Sequence, residues 1–394
     1  LAWADSLTQF GRTEVAGGVV LVVALAAALV WANVDAHSYS TLWGHLLIRH
    51  SVVLPIQLHS MEDLVDNGLM TLFFLAIGLE MGREVAEGSL RDRRNVLLPT
   101  LAALGGMASA ALVYLASDAA LHPSVGISKG WGIPMATDVA FTLGAIALLG
   151  RRVPGPLRIF VLALAVADDV ASVIVLAVVA HTDLRPWWLL GALATLAATT
   201  LMRRHVRQSW WPYAIAVVIV WYCLVRGGVE PTLGGAFVGV LVPMARGAKA
   251  GTTLEQPVHA LSSYGILPLF VLANAGVTVT AALWHSSAAI SVLTAIVAAR
   301  TLGKMLGITV AVVLLVRLGV CNLPEGTTWR QMTGVSLLCG MGITVPLLFA
   351  HAVFGGRPTL FAGAQLGLLI GTLAAALLGT FFLLTAHDRT RTDP

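Results

Sequence analysis

Charge is what this sequence lacks. Only 11% of its 394 residues are Asp, Glu, Lys or Arg, against 57% hydrophobic, which is too little polar surface to coat a water-soluble globule and suits a bilayer instead. Cysteine is scarce as well. Cys223, Cys321 and Cys339 stand far apart, which excludes a disulfide framework or a metal knuckle and leaves them as small buried hydrophobes. The net charge of +4 comes from cations scattered singly and in twos and threes; without a basic tract, nucleic acid is not an expected partner and the cations read as topology signals. No short apolar run with a cleavage pattern opens the chain. A full-length apolar stretch, Ala16 to Trp31, follows the first polar segment, so the first helix is expected to be retained. The H-E-x-x-H and GxGD motifs of intramembrane proteases are absent, and with them the main routes to an enzyme. No resident cofactor is expected.

What the sequence has in abundance is apolar runs near 20 residues long, enough as helices to cross a hydrocarbon core of about 30 Å. They predict an all-α membrane protein with twelve helices at roughly 16–34, 62–86, 95–117, 125–149, 154–180, 186–204, 208–226, 229–245, 257–283, 287–316, 328–350 and 359–385. An even number places both termini on one side. Loops after even-numbered spans hold the arginine clusters Arg91, Arg93 and Arg94, Arg151 and Arg152, and Arg203, Arg204 and Arg207, against about one cation after each odd span; the positive-inside bias puts these loops and both termini in the cytoplasm. The first odd loop, Asp35 to Met61, is long. Its stretch LLIRHSVVLPIQLHS reads as two short β-runs, predicting a periplasmic β-hairpin at 44–59 whose edge suits pairing with a second copy as a homodimer.

Ionisable residues inside a span cost several kcal/mol, so each needs a partner, an aqueous cavity or a task. Four lie near the middle of their spans: Asp138, Asp168, Asp169 and Lys304. Consecutive residues on a helix point about 100° apart, so Asp168 and Asp169 cannot face one wall, yet both can border one cavity. Two carboxylates a few ångströms apart resist joint ionisation and hold either protons or a small hard cation, in competition. Pairing with basic residues alone does not account for them, because Arg300 and Lys304 share one span and other cations sit at span ends.

Two spans read as interrupted. In GWGIPMATDVAFTLG, Pro134 removes a backbone donor and Thr137-Asp138 signals a helix start in mid-membrane. In SLLCGMGITVPLLFA, Gly340 and Gly342 loosen the backbone, Thr344 is a candidate cap and Pro346 sits just inside a new start. Half-helix ends at that depth need counter-charges, Asp138 for the positive N-terminal ends and Lys304 for the negative C-terminal ends. Breaks in the fourth and eleventh spans predict inverted repeats, with a core of spans 3–5 and 10–12 (95–180 and 287–385) and a panel of spans 1–2 and 6–9 (16–86 and 186–283).

These residues resemble the NhaA family of bacterial sodium–proton antiporters over nearly the whole chain. The similarity is carried by DNGLMTLFFLAIGLEMGRE at 66–84, IPMATDVAFTLGAIALLG at 133–150, LALAVADDVAS at 162–172, LPLFVLANAGV at 267–277, LGKMLGI at 302–308, and LPEGTT with LLCGMGIT at 323–344. The resemblance implies that Asp168 and Asp169 bind Na+ or Li+ with Thr137 adding oxygen, that Lys304 pairs with Asp168 until the ion arrives, and that Asp138 compensates the helix dipoles. It also implies two protons taken up per ion expelled, and a cytoplasmic pH-sensing cluster at Glu80, Arg83, Glu84, Glu255 and His259. Gly82, Gln256 and Glu230 depart from the family pattern, which has lysine, histidine and histidine there. Arg300, one turn before Lys304, departs too. A sodium-coupled carrier of organic anions on the same fold is the competing reading, left open by a mid-membrane Lys304.

Overall fold

The computed structural model describes residues 2–44, 60–86, 93–121, 127–179, 184–244, 249–278 and 281–386. These residues are overwhelmingly helical, and no β-strand is formed among them. Six helices are long and apolar enough to cross a membrane: Ala16–Val34, Met61–Arg83, Leu97–Ala120, Gly155–Ala177, Ser287–Arg317 and Pro358–Thr385. The chain is an all-α membrane protein. Its other apolar helices are shorter, at Val139–Leu149, Pro186–Met202, Trp211–Gly227 and Thr344–Phe354.

Several expected spans differ in a way the backbone explains. The span expected at 229–245 is a helix only over Leu233–Leu241, because Pro243 disfavours helical backbone at the residue before it and Val242 is extended. The span expected at 257–283 starts earlier, at Lys249–Leu261, widens into a π-turn at Ser262–Ile266, continues over Leu267–Asn274 and resumes as a separate turn, Ala281–His285. Before the break in the fourth span there is a tight 3-10 segment, Ile127–Gly132, in place of the α-helix expected from 125. The expected loop after the first span begins instead with a helix, Ala36–Gly44, whose start is fixed by the Ser38 amide donating to Asp35 Oδ1 at 3.0 Å. Gly44 ends that helix; the rest of the hairpin expected at 44–59 lies outside the described residues.

The chain forms two compact units. One comprises Leu1–Val19, Arg94–Ala171 and Thr280–Pro394, the other Val20–Arg93 and Ser172–Val279. In the first, Pro358–Thr385 packs against Ser287–Ala298 and Trp329–Leu338, and Thr344–Phe354 lies against the 3-10 segment. Helix starts are capped where the sequence provides for it: Thr328 and Gln331 form a reciprocal capping box, and Ser286 accepts from the Ala289 amide. This unit buries an unusual set of polar side chains, among them Thr137, Asp138, Asp168, Arg300, Lys304, Thr344 and Thr372. In the second unit, Met70–Ala86 packs closely on Leu233–Leu241. Glycine makes that approach possible, since a methyl at Gly239 would fall 2.8 Å from the Gly78 Cα and from the Leu75 carbonyl oxygen.

Candidate ion site at two interrupted helices

The site is built where two helices stop in the middle of the first unit. After the 3-10 segment, residues 133–138, including Pro134, make no helix, and Val139–Leu149 begins from an extended Asp138 (φ −90°, ψ 114°). The other interruption separates Trp329–Leu338 from Thr344–Phe354. Gly340 and Gly342 are required there by close approach: a methyl at Gly340 would lie 2.3 Å from the Arg300 carbonyl oxygen, and one at Gly342 would lie 2.9 Å from the Asp138 nitrogen.

Asp138 joins the two breaks. Its Oδ2 accepts from the Ile343 and Thr344 amides at 2.7 and 2.9 Å, and its Oδ1 accepts from the Thr344 hydroxyl at 2.6 Å. Its own amide donates to the Met341 carbonyl at 3.0 Å. A helix start leaves four amides without intrahelical acceptors and carries about half a positive charge; Asp138 accepts from two amides at the start of Thr344–Phe354 and sets a negative charge there, while making no side-chain cap for its own helix. Thr344, expected as a cap, is the first residue of that helix, and Ile343 holds the cap position with no side-chain bond.

On the facing helix, Gly155–Val179, Asp168 is fully buried. Lys304 Nζ, equally buried, donates to Asp168 Oδ1 and Oδ2 at 2.9 and 2.8 Å and lies 3.0 Å from Thr137 Oγ1. The Thr137 amide donates to Asp168 Oδ2 at 2.7 Å, and its hydroxyl donates to the Cys339 carbonyl at 2.6 Å. Lys304 therefore reaches the negative end of Trp329–Leu338 through the threonine hydroxyl rather than directly. Such a pair, withdrawn from water, is held by the completeness of its bonds, since desolvating two charges cancels much of their attraction. Asp169 follows at the next helix position and is half-buried.

The remaining expected residues fall in the second unit. Arg83 bonds Glu255 at 2.5 Å and approaches Glu80 at 4.0 Å, with the arginine side chain 40% exposed. His259 lies one turn beyond Glu255 on Lys249–Leu261 and is half-buried. The Glu84 side chain lies outside the described residues. Of the departing positions, Gln256 is exposed and Glu230 accepts from the Thr232 hydroxyl at 3.1 Å.

The model of the family described as Na+/H+ antiporter 1 matches residues 8–383. The chain belongs to this family. Among its relatives, the Na(+)/H(+) antiporter NhaA of Serratia proteamaculans is 36% identical over 98% of this chain and 99% of its own length. The Na(+)/H(+) antiporter NhaA 2 of Novosphingobium aromaticivorans is 38% identical over 95% of both. The solved structure of the sodium proton antiporter MjNhaP1 from Methanocaldococcus jannaschii superposes with a TM-score of 0.53 over 98% of this chain and 99% of that one. At 14% identity it shows a shared fold and nothing finer.

Within this member of the family, three participants escaped the sequence. The Cys339 and Met341 carbonyls act through the backbone and carry no residue signature. Thr372, whose hydroxyl donates to the Gly342 carbonyl at 2.9 Å, steadies the second break. A lone threonine in the apolar run GTLAAA was the signal available for it.

Proposed function

We propose that this chain is a secondary active antiporter, expelling Na+ or Li+ from a bacterium across its inner membrane in exchange for H+, with Asp168 and Asp169 as the ion site. The observation that carries this reading is the Asp168–Lys304 pair, fully buried and closed by Thr137. Its carboxylate is a single acceptor with three possible claimants: the Lys304 ammonium, a proton or a hard cation. Sodium needs ionised oxygens and protonation removes them, so the two ions exclude each other from the same atoms. In the proposed cycle Asp169 is the principal carboxylate, Asp168 trades its charge between Lys304 and the ion, and Thr137 Oγ1 adds a neutral ligand. Two protons enter per cation expelled. Each turnover then carries net charge, and membrane potential drives it together with the pH gradient.

Alternating access of the core around this site, cytoplasmic termini and a homodimer complete the proposal. Glu80, Arg83, Glu255 and His259 are assigned the pH response, histidine being the side chain that ordinarily titrates near neutrality. The competing organic-anion carrier gains no support from Lys304, whose ammonium is already engaged by Asp168 and Thr137.

Everted vesicles carrying the protein are expected to lose an imposed pH gradient on addition of Na+ or Li+ and to keep it on addition of K+. The Asp169→Asn variant, inserted and folded, is expected to abolish the response. Exchange retained in that variant removes the centre of the proposal, and a wild-type chain silent to Na+ from mildly acid to alkaline pH refutes it altogether.

A further inference from the structure

Arg300 is the largest fully buried side chain described, with no exposed surface. None of its three guanidinium nitrogens has a hydrogen-bond partner among the described residues. A guanidinium offers five N–H donors and does not give up its proton in proteins; burying it unpaired is among the costliest arrangements a fold can keep. Stability alone does not retain such a residue.

The local backbone places it deliberately beside the site. Ser287–Ala298 and Lys304–Arg317 are joined by a π-turn, Ala299–Gly303, a local widening often found where helices serve a function. Arg300 and Lys304 are both fully buried, yet their ends differ: Lys304 bonds Asp168 and Thr137, whereas Arg300 lies along the second break. A methyl at Gly342 would come within 2.8 Å of Arg300 Nη2, and one at Gly371 within 3.2 Å of its Cδ. The acids that act on it electrostatically are Asp138 and Asp168. Both carboxylates are already bonded, the first to Ile343 and Thr344 and the second to Lys304 and Thr137. Arg300 thus contributes charge to the site without contributing a bond.

We propose that Arg300 sets the affinity of the site: a permanent positive charge, bonded to no acid, that weakens the hold of Asp168 and Asp169 on Na+ so that the ion is released rather than trapped. The inference rests on the antiport reading. Three carboxylates, Asp138, Asp168 and Asp169, are set against two cations, and a guanidinium keeps its proton; Arg300 is the constant part of that balance. Because the ion must leave on every cycle, tighter binding slows turnover as surely as weak binding starves it.

The test compares Arg300→Met and Arg300→Lys with the wild type, using the full chain in proteoliposomes at alkaline pH, where protons compete least. Removing an unpaired guanidinium strands no acceptor, so Arg300→Met is expected to melt no lower than the wild type. Its apparent KM for Na+ is expected to fall by about 3- to 30-fold, the order of the Coulomb repulsion between two like charges several ångströms apart across watery to protein-like screening, with a lower kcat. Arg300→Lys, which keeps the charge, is expected to hold KM within about twofold of the wild type. An unchanged KM in Arg300→Met, an equal KM shift in both variants, or a failure of Arg300→Met to fold overturns the proposal, the last by making the arginine structural. Equilibrium binding of radioactive Na+ to the detergent-solubilised chains separates the two readings. Tighter binding in Arg300→Met supports the affinity role even if exchange is absent, whereas exchange in the wild type with equal binding in all three chains leaves antiport standing and sinks this inference.

Discussion

Two clusters of opposite charges, one in each compact unit, obey different physics. At the interrupted helices Asp138, Asp168, Lys304 and Arg300 are buried, Asp138 being bonded to amides and a hydroxyl, and Asp168 and Lys304 to each other and to Thr137. The Arg83–Glu80–Glu255 cluster holds an arginine 40% exposed and acids 24% and 18% exposed. Water and salt screen the second and barely reach the first. Acidic and basic side chains are therefore locked together in one place and loosely held in the other.

The strongest way to break this comparison is Asp168→Asn, expected to eliminate Na+-dependent proton movement in vesicles while Arg83→Ala leaves it measurable; the opposite ranking would dissolve the distinction. Next comes Asp138→Ala, which leaves the Ile343 and Thr344 amides without their acceptor. A loss of roughly 3–5 kcal/mol is expected, from buried amides and a hydroxyl left unsatisfied at about 1–3 kcal/mol each, and thermal unfolding in detergent reads it. Thr137→Val keeps the shape and deletes the hydroxyl between Lys304 and the Cys339 carbonyl, with an expected cost of about 1–3 kcal/mol for the groups left unpaired. By contrast, Glu255→Gln is expected to change stability by less than about 1 kcal/mol, and any effect on exchange should appear in its pH profile and diminish with added salt.

The smallest effect sharpens the exposed end of the scale. Asp35, outside the spans, has its carboxyl held below the ordinary value of 3.8 chiefly by the Ser38 amide. A lowered value in the folded state means that the cap is fully effective above the unfolded value and is lost as pH falls through the lowered one. Hydrogen exchange at the Ser38 amide is expected to quicken over that acid window in the wild type, and at all pH values in Asp35→Ala.

How much of this was legible beforehand follows from where the information sits. Asp138, Asp168, Asp169 and Lys304 announced themselves because an ionisable group in an apolar run is expensive, and Pro134, Gly340 and Gly342 marked the breaks because each loosens a helix. The partnership of Asp138 with Ile343 and Thr344, some 205 residues away, was visible only as a need for a counter-charge; its address depends on tertiary crossing. Backbone acceptors such as the Cys339 carbonyl have no sequence signature at all. The shortened Leu233–Leu241 helix was readable from Pro243, and the Ala36–Gly44 helix from the aspartate–serine spacing that caps it, yet hydropathy alone overrode both. The π-turn at Ala299–Gly303, which seats Arg300 and Lys304, leaves the apolar pattern of its span intact.

Interrupted helices are commonly thought of as hinges, but the bonding of Asp138 and Thr137 makes this pair the reverse. Five hydrogen bonds run from those two adjacent residues to the stretch between Cys339 and Thr344. The crossing is a rivet. These five bonds, between two short stretches of chain, tie the two gaps into one piece and hold the charges they carry in fixed register.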